Sequence, residues 1–397
     1  MEPNYIALSV PIFFILIGLE VFWSWYKSLK LYRLSDAITN ISCGIGQQIT
    51  GILFKTIILF SYFWLFENAR LFTIPSTWYW WLVLFVGVDF CYYWFHRMSH
   101  EVNAIWATHV VHHQSEDYNL SVALRQSWFQ SFFSNLFYLP LAIIGFDPLV
   151  TVTVIAVNTL YQFWIHTELI KNMGWFEYIF NTPSHHRVHH GSNPEYIDKN
   201  HGGTLIIWDR MFGTFIKEDQ PVIYGITVPF NSWNPLWANF HYWKEILQTA
   251  NEASGFKDKF KVFFASPGWK PGIKEINIPN PSGRKKFELL LTNENKVYAI
   301  VQFAIVLAVS SILLFSEAKM KLTQLIPLIL WSLFAIVSLG KYLEGNKFKM
   351  HFECIRIISL MPCVILTFSI DSIVIIILTV YTIGSVLWLF KVTKSSF

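Results

Sequence analysis

Apolar runs of helical length recur along this chain, separated by short polar loops and two longer polar segments. A bilayer core of about 30 Å takes roughly 20 residues of helix. Runs of that kind lie at 6–25, 46–66, 78–95, 128–146, 149–167, 297–316, 322–340, 355–370 and 371–390. The pattern predicts an all-α, polytopic membrane protein with about nine transmembrane helices. The fourth and fifth runs are joined only by Gly145-Phe146-Asp147-Pro148, which reads as a tight hairpin. The eighth and ninth are short, divided at Asp371, and could be re-entrant instead. The first run lacks a basic leader and a small-residue cleavage site, so it reads as a retained span. The expected units are N-terminal membrane helices over 1–77, a histidine-rich unit over 78–217, a cytoplasmic or interfacial segment and linker over 218–296, and C-terminal membrane helices over 297–397.

Composition supports the membrane reading. Of 397 residues 53% are hydrophobic and 14% charged, against about 25% charged in soluble domains. The net charge of +4 is too small to suggest a nucleic-acid partner. Four scattered cysteines (Cys43, Cys91, Cys354, Cys363) form no C-x-x-C, and read as small buried hydrophobes. The positive-inside rule sets the orientation. Lys27, Lys30 and Arg33 follow the first run; Lys341, Lys347, Lys349 and Arg356 lie between the seventh and eighth; Lys391 and Lys394 follow the ninth. Nine crossings starting outside place all of these in the cytoplasm, with Lys319 and Lys321 as the exception. Residues 96–127 and 168–294 then share the cytoplasmic face, with 11 of the 13 histidines, and His166 closes the fifth run at that surface. Trp233, Trp237, Trp243, Phe263, Phe264 and Trp269 suggest that parts of 218–296 lie flat among headgroups, or else form a small aromatic core. Pro271, Pro279, Pro281 and Arg284-Lys285-Lys286 mark residues 270–296 as a linker.

The chemistry is concentrated in three clusters: His96-x₃-His100, His109-x₂-His112-His113 and His185-His186-x₂-His189-His190. Residues three or four apart share a helix face, so each cluster aims its imidazoles one way. Thr182 as N-cap and Pro183 at the first turn would start the third helix. Nine gathered imidazoles repel when protonated and need partners when neutral and buried. Metal ions remove both problems, and neutral imidazole suits Fe, Zn, Cu or Ni. There are too many donors for one zinc, so two metals are the natural count. His166 could be a further ligand or an interfacial histidine bonded to Glu168. Glu101 could be a ligand, a partner to an imidazole N–H or a proton donor. Asp198 and Asp209 read as weaker candidates or surface acids, and the lone His241 and His351 as ordinary histidines. A lipid substrate with an unactivated C–H bond suits iron and O₂. A metal transporter would place its ionisable ligands at the bilayer midplane, whereas here they flank the spans.

The spacing H-x₃-H, H-x₂-H-H, H-x₂-H-H resembles the fatty acid hydroxylase/sterol desaturase superfamily. The stretches Gly87–Asn103, Ser115–Ser121, Tyr161–Glu168, Asn181–Gly191 and Ile207–Phe215 carry the likeness, which lies nearest the branch that cleaves glyceryl ethers. The resemblance implies that 78–217 is the catalytic domain and that His96, His100, His109, His112, His113, His186, His189 and His190 bind two Fe ions. It matches His166 to a further superfamily histidine, and Glu101 and His185 to positions needed for activity. Gln162 stands where some hydroxylases have histidine, and His201 where tyrosine is expected. The implied reaction is hydroxylation of the ether-linked carbon of an alkylglycerol, releasing a fatty aldehyde, with O₂ and tetrahydrobiopterin as electron donor. A fatty acid or sterol hydroxylase or desaturase fed by a protein electron donor is the alternative. The expected home is the ER membrane in a eukaryote, or the inner membrane in a bacterium.

Overall fold

A computed structural model describes residues 5–75, 77–273, 279, 281–345 and 348–394. Lys347 and part of the expected linker, residues 274–278 and 280, fall outside the described residues. The described residues are helical, with isolated bridges (Phe180 with Leu205, Gly191 with Tyr224) and no strand.

The N-terminal part holds α1 (Tyr5–Tyr26), α2 (Leu34–Ala69) and α3 (Trp78–Glu101). Short α4 (Asn103–Trp106) and α5 (Val110–His113) follow, then the hairpin of α6 (Gln130–Ile144) and α7 (Pro148–Trp164). Asp147 caps α7 by accepting from Leu149 N (2.8 Å) and Val150 N (3.1 Å), and Pro148 supplies the preset first turn. Gly145 makes the bend at φ +112°, where an added Cβ would lie 1.9 Å from the Phe72 carbonyl oxygen. Only glycine fits both demands. Beyond the hairpin come α8 (Pro183–His189), α9 (Ile207–Phe212), α10 (Pro235–Glu252) and α11 (Phe256–Phe264). Four long helices close the chain: α12 (Asn293–Ser316), α13 (Leu322–Leu343), α14 (Lys349–Thr367) and α15 (Ser372–Lys394).

The chain is an integral membrane protein, but the count of nine crossings is not supported. Among the described residues five helices are long and apolar enough: Ser9–Tyr26 and those beginning at Asn293, Leu322, Lys349 and Ser372. A sixth is added if α2, bent by 51° between Leu34–Phe54 and Thr56–Ala69, is one broken span. The reason is length and polarity. At 1.5 Å per residue the 15 residues of α6 and the 17 of α7 reach only about 23 and 26 Å, short of a 30 Å core. The α3 helix is long enough but carries Asp89 midway and His96, Arg97, His100 and Glu101 at its end. The eighth and ninth expected runs are separate helices of spanning length, α14 and α15.

Between lipid-facing helices there is little hydrophobic drive, so close packing and polar contacts decide the arrangement. Tyr62, Leu84, Val88, Tyr138, Leu141 and Val154 join α2, α3, α6 and α7. Tyr62 adds a hydrogen bond to the Phe146 carbonyl (3.2 Å). The other end of α2, through Ile38, Ile45 and Ile49, belongs to the core of the C-terminal bundle. One helix therefore ties both parts together. Gly340 of α13 lets the chain cross closely, since a Cβ there would stand 2.6 Å from the Trp233 carbonyl oxygen. Arg356, expected in a basic loop, lies inside α14 and is fully buried with Glu353, Nη2 to Oε2 at 2.7 Å. It therefore no longer counts towards the loop charges that orient the chain. In the 218–296 segment the small aromatic core is found. Trp243, Phe263 and Trp269 pack around Ala107, Ile246, Ala250 and Val262, while Phe256, Phe260 and Phe264 are exposed.

Candidate metal centre

The C-terminal turns of α3 present His96 and His100. Asn103 then accepts from Tyr242 Oη (2.6 Å) and donates to the Val262 carbonyl (2.8 Å), anchoring the turn that leads to α5. That turn carries His109, His112 and His113. The end of α7 supplies His166, and α8 supplies His185, His186, His189 and His190. Thr182 sits at the expected cap of α8, but its hydroxyl goes to Glu177 Oε1 (3.2 Å), as does that of Ser184 (3.0 Å), and not to the helix.

Nine imidazoles from these pieces converge in two groups. His96, His100, His109, His113 and His189 form one; His112, His166, His186 and His190 form the other. Within each group one nitrogen from every ring lies within 4.8 Å of the others, and all nine residues are buried. The division follows helical spacing. Pairs four apart stay together (His96 with His100, His109 with His113, His186 with His190), while His112 and His189, each next to a member of such a pair, cross to the other group.

Hydrogen bonds decide what these groups can hold. Backbone carbonyls accept from Nδ1–H of four rings: His96 to His201 (2.8 Å), His112 to Arg125 (3.0 Å), His166 to Gln162 (2.8 Å) and His189 to Lys199 (3.0 Å). A carbonyl cannot donate, so the proton sits on Nδ1 and the neutral ring offers a bare lone pair at Nε2. His112 and His166 are both in that state, yet their Nε2 atoms are 3.3 Å apart. His186 Nε2 is 3.0 Å from that of His166, and His190 Nε2 is 3.1 Å from that of His112. In the larger group His109 Nε2 lies 3.0 Å from His96 Nε2 and 3.2 Å from His113 Nε2. Protonating the rings is no remedy. Burial pushes His112 down to about 4, and burial plus neighbouring imidazoles holds His109, His113, His189 and His190 well below the usual histidine range. Facing lone pairs without a proton call for a cation. Two nitrogens about 2.1 Å from one ion and at right angles stand about 3.0 Å apart, which is the spacing found. Both donor sets are all nitrogen, so transition metals suit them and hard cations do not. The carbonyls that fix the tautomers play the orienting role usual around metal-bound histidine.

Polar pins hold this frame, and sequence reading missed them. Asp89 of α3 accepts from Asn158 Nδ2 (2.6 Å), Thr204 N (2.7 Å), Leu205 N (3.1 Å) and Trp208 Nε1 (2.9 Å). An acid inside an apolar run was the available signal. Asp209, read as a weaker site candidate or a surface acid, is fully buried and accepts from His201 N, Gly202 N and Thr214 Oγ1, each at 2.7 Å. Arg125 donates to the Val111 carbonyl (2.7 Å), Asn40 Oδ1 (3.0 Å) and Gln114 Oε1 (2.7 Å). Arg187, between the paired histidines of α8, grips Glu218 and the Thr167 and Ile170 carbonyls.

Two expected residues stand outside both groups. Glu101 is partly exposed and accepts from Arg97 Nε at 2.8 Å. His185 is buried against Phe215, ring centroids 5.4 Å apart, and burial pushes it down to about 4. The exposed Asp198 approaches His100 Nδ1 at 3.3 Å.

A family model described as fatty acid hydroxylase matches residues 81–214, the stretch that contains every histidine of both groups. An alkylglycerol monooxygenase of Homo sapiens is 43% identical over 362 residues, 89% of this chain and 81% of that one. That of Xenopus tropicalis is 43% identical over 89% of this chain and 80% of its own, and that of Danio rerio 41% over 90% and 82%. The chain belongs to the alkylglycerol monooxygenase family. Membership makes it a lipid monooxygenase, an oxidoreductase that uses O₂. No solved structure matches the chain.

Proposed function

We propose that this protein is a non-haem di-iron monooxygenase that hydroxylates the ether-linked carbon of alkylglycerols and releases a fatty aldehyde, with tetrahydrobiopterin as reductant. The facing Nε2 lone pairs of His112 and His166 carry the metal reading, and the relatives carry the substrate. His96, His100, His109, His113 and His189 would hold one ion; His112, His166, His186 and His190 would hold the other. Iron bound there supplies O₂ activation strong enough for an unactivated C–H bond. The protein's own part is to keep every donor ring neutral through burial, to fix tautomers with main-chain carbonyls, and to exclude bulk water. In this reading residues 78–217 perform the catalysis and the other helices place it in the bilayer, with the histidines on the cytoplasmic face. Glu101 and His185 act from outside the donor sets, His185 from the buried face of α8 against Phe215 and Glu101 from the partly exposed end of α3.

Metal analysis of detergent-purified protein, coupled to aldehyde release from an alkylglycerol with and without tetrahydrobiopterin, tests the proposal. Two irons per chain and pterin-dependent turnover are expected. Active protein free of transition metal would overturn it. The matched fatty acid hydroxylase domain favours a second reading, an acyl or sterol hydroxylase or desaturase with a protein electron donor. NADH-linked turnover of such lipids, with no aldehyde from alkylglycerols, would decide for it.

A further inference from the structure

We infer that His201 is a sixth imidazole donor to the ion held by His96, His100, His109, His113 and His189, an inference that rests on the di-metal reading above. His201 is fully buried, and neither ring nitrogen makes a hydrogen bond of ordinary distance and angle, the Asp198 carbonyl lying close to the ring without that geometry. Unpartnered buried nitrogens are costly, so a ring with two of them calls for a cause.

The ring's position supplies one. Its centroid lies 5.1 Å from that of His100, 5.6 Å from His189 and 5.7 Å from His96. Centroid separations between donor rings include 4.2 Å (His96 to His189), 4.8 Å (His100 to His189) and 5.6 Å (His96 to His100). His201 is therefore spaced from three of the five donors (His96, His100 and His189) much as those three are spaced from one another, although its nitrogens lie outside the 4.8 Å set. Its backbone is held on both sides. The His201 N–H donates to Asp209 Oδ1 (2.7 Å), and its carbonyl accepts from His96 Nδ1 (2.8 Å). By contrast His241 has an unpartnered Nε2 but stands apart from both groups, and its Nδ1 is satisfied by the Ala238 carbonyl at 3.1 Å. With His201 added the larger position has six imidazoles and the smaller keeps four. The four-histidine ion is then the one left with room for a further ligand.

The test is metal affinity, read apart from turnover. Metal-free protein in detergent is titrated with Co²⁺ alone against a competing chelator, and bound cobalt is counted per chain. Wild type is compared with His201→Phe, His201→Gln and the control His241→Gln. The two His201 variants are expected to bind one of two ions at least about 10-fold more weakly, the loss that removal even of an outer-shell partner produces, and the control to match wild type. X-ray absorption of the cobalt protein should show fewer imidazole neighbours per ion in both His201 variants. Unchanged affinity and neighbour count in His201→Gln would overturn the assignment, whatever the fate of His201→Phe. Failure of wild type itself to bind two ions would instead sink the di-metal reading.

Discussion

Replacing Arg187 by glutamine should loosen the metal centre without touching a donor ring. The guanidinium is 1% exposed and makes four contacts: Glu218 Oε1 at 2.8 Å and Oε2 at 2.6 Å, the Thr167 carbonyl at 3.0 Å and the Ile170 carbonyl at 2.7 Å. Breaking a buried ion pair by removing one partner costs about 3–5 kcal/mol. Glu218 keeps 24% of its side-chain surface and can be rehydrated, so the lower end applies, about 3 kcal/mol. Thr167 follows His166 directly, so freeing its carbonyl releases the segment that carries one of four donors. Loss of such support typically weakens metal binding about 10–100-fold. Chelator titration of the purified protein, with iron counted by mass spectrometry, should show one ion leaving Arg187→Gln at that much lower chelator concentration. Thermal unfolding in detergent should fall in parallel. Arg187→Lys should lie between the two, because an ammonium keeps the charge but not the planar fork. A glutamine variant with wild-type metal retention and thermal stability would refute the account.

Glu101→Gln should retain wild-type metal content, because the carboxylate faces Arg97 and belongs to neither donor group; loss of an ion on elemental analysis would place it at the centre after all. His241 is pushed down to about 4 by burial, so the unfolded chain binds its proton first as pH falls through about 6.5. Stability from this residue is whole above that pH and declines between about 6.5 and 4, by up to about 3 kcal/mol; His241→Gln should flatten the pH dependence of thermal unfolding in that window. Gly145→Ala should destabilise the α6–α7 hairpin by well over the roughly 1–2 kcal/mol of left-handed strain alone, since the new methyl would meet the Phe72 carbonyl. Gly174→Ala, at φ +64° with nothing within 4 Å, should show only the strain, and equal melting shifts for the two would contradict the clash.

The helices and the histidines were legible in the sequence because both obey short-range periodicity. The pairing of histidines four apart survived even where the helix did not, since α5 is only Val110–His113 and His109 precedes it. The division into two donor groups was not legible. It depends on how α3, α5, α7 and α8 meet, and nothing local to His112 or His189 says which group it joins. Five or six of the nine expected crossings are matched by helices of spanning length among the described residues; apolar runs alone do not show where a helix such as α6 or α7 stops short of that length. Arg356 looked like a loop charge because its partner Glu353, one helical turn away, carries the burial of both. Asp209 was misplaced for a related reason: the three donors that repay its burial are a backbone turn and a threonine hydroxyl, which spacing does not advertise.

The α6–α7 hairpin also sets an order of assembly. A chain leaves the ribosome N-terminus first, and His96, His100, His109 and His113 all emerge before the hairpin does. The larger position thus has four of its five donors while the smaller has only His112. On the proposed di-metal reading, nascent protein halted before α7 should capture one ion and not the second, so the two positions would be loaded one after the other.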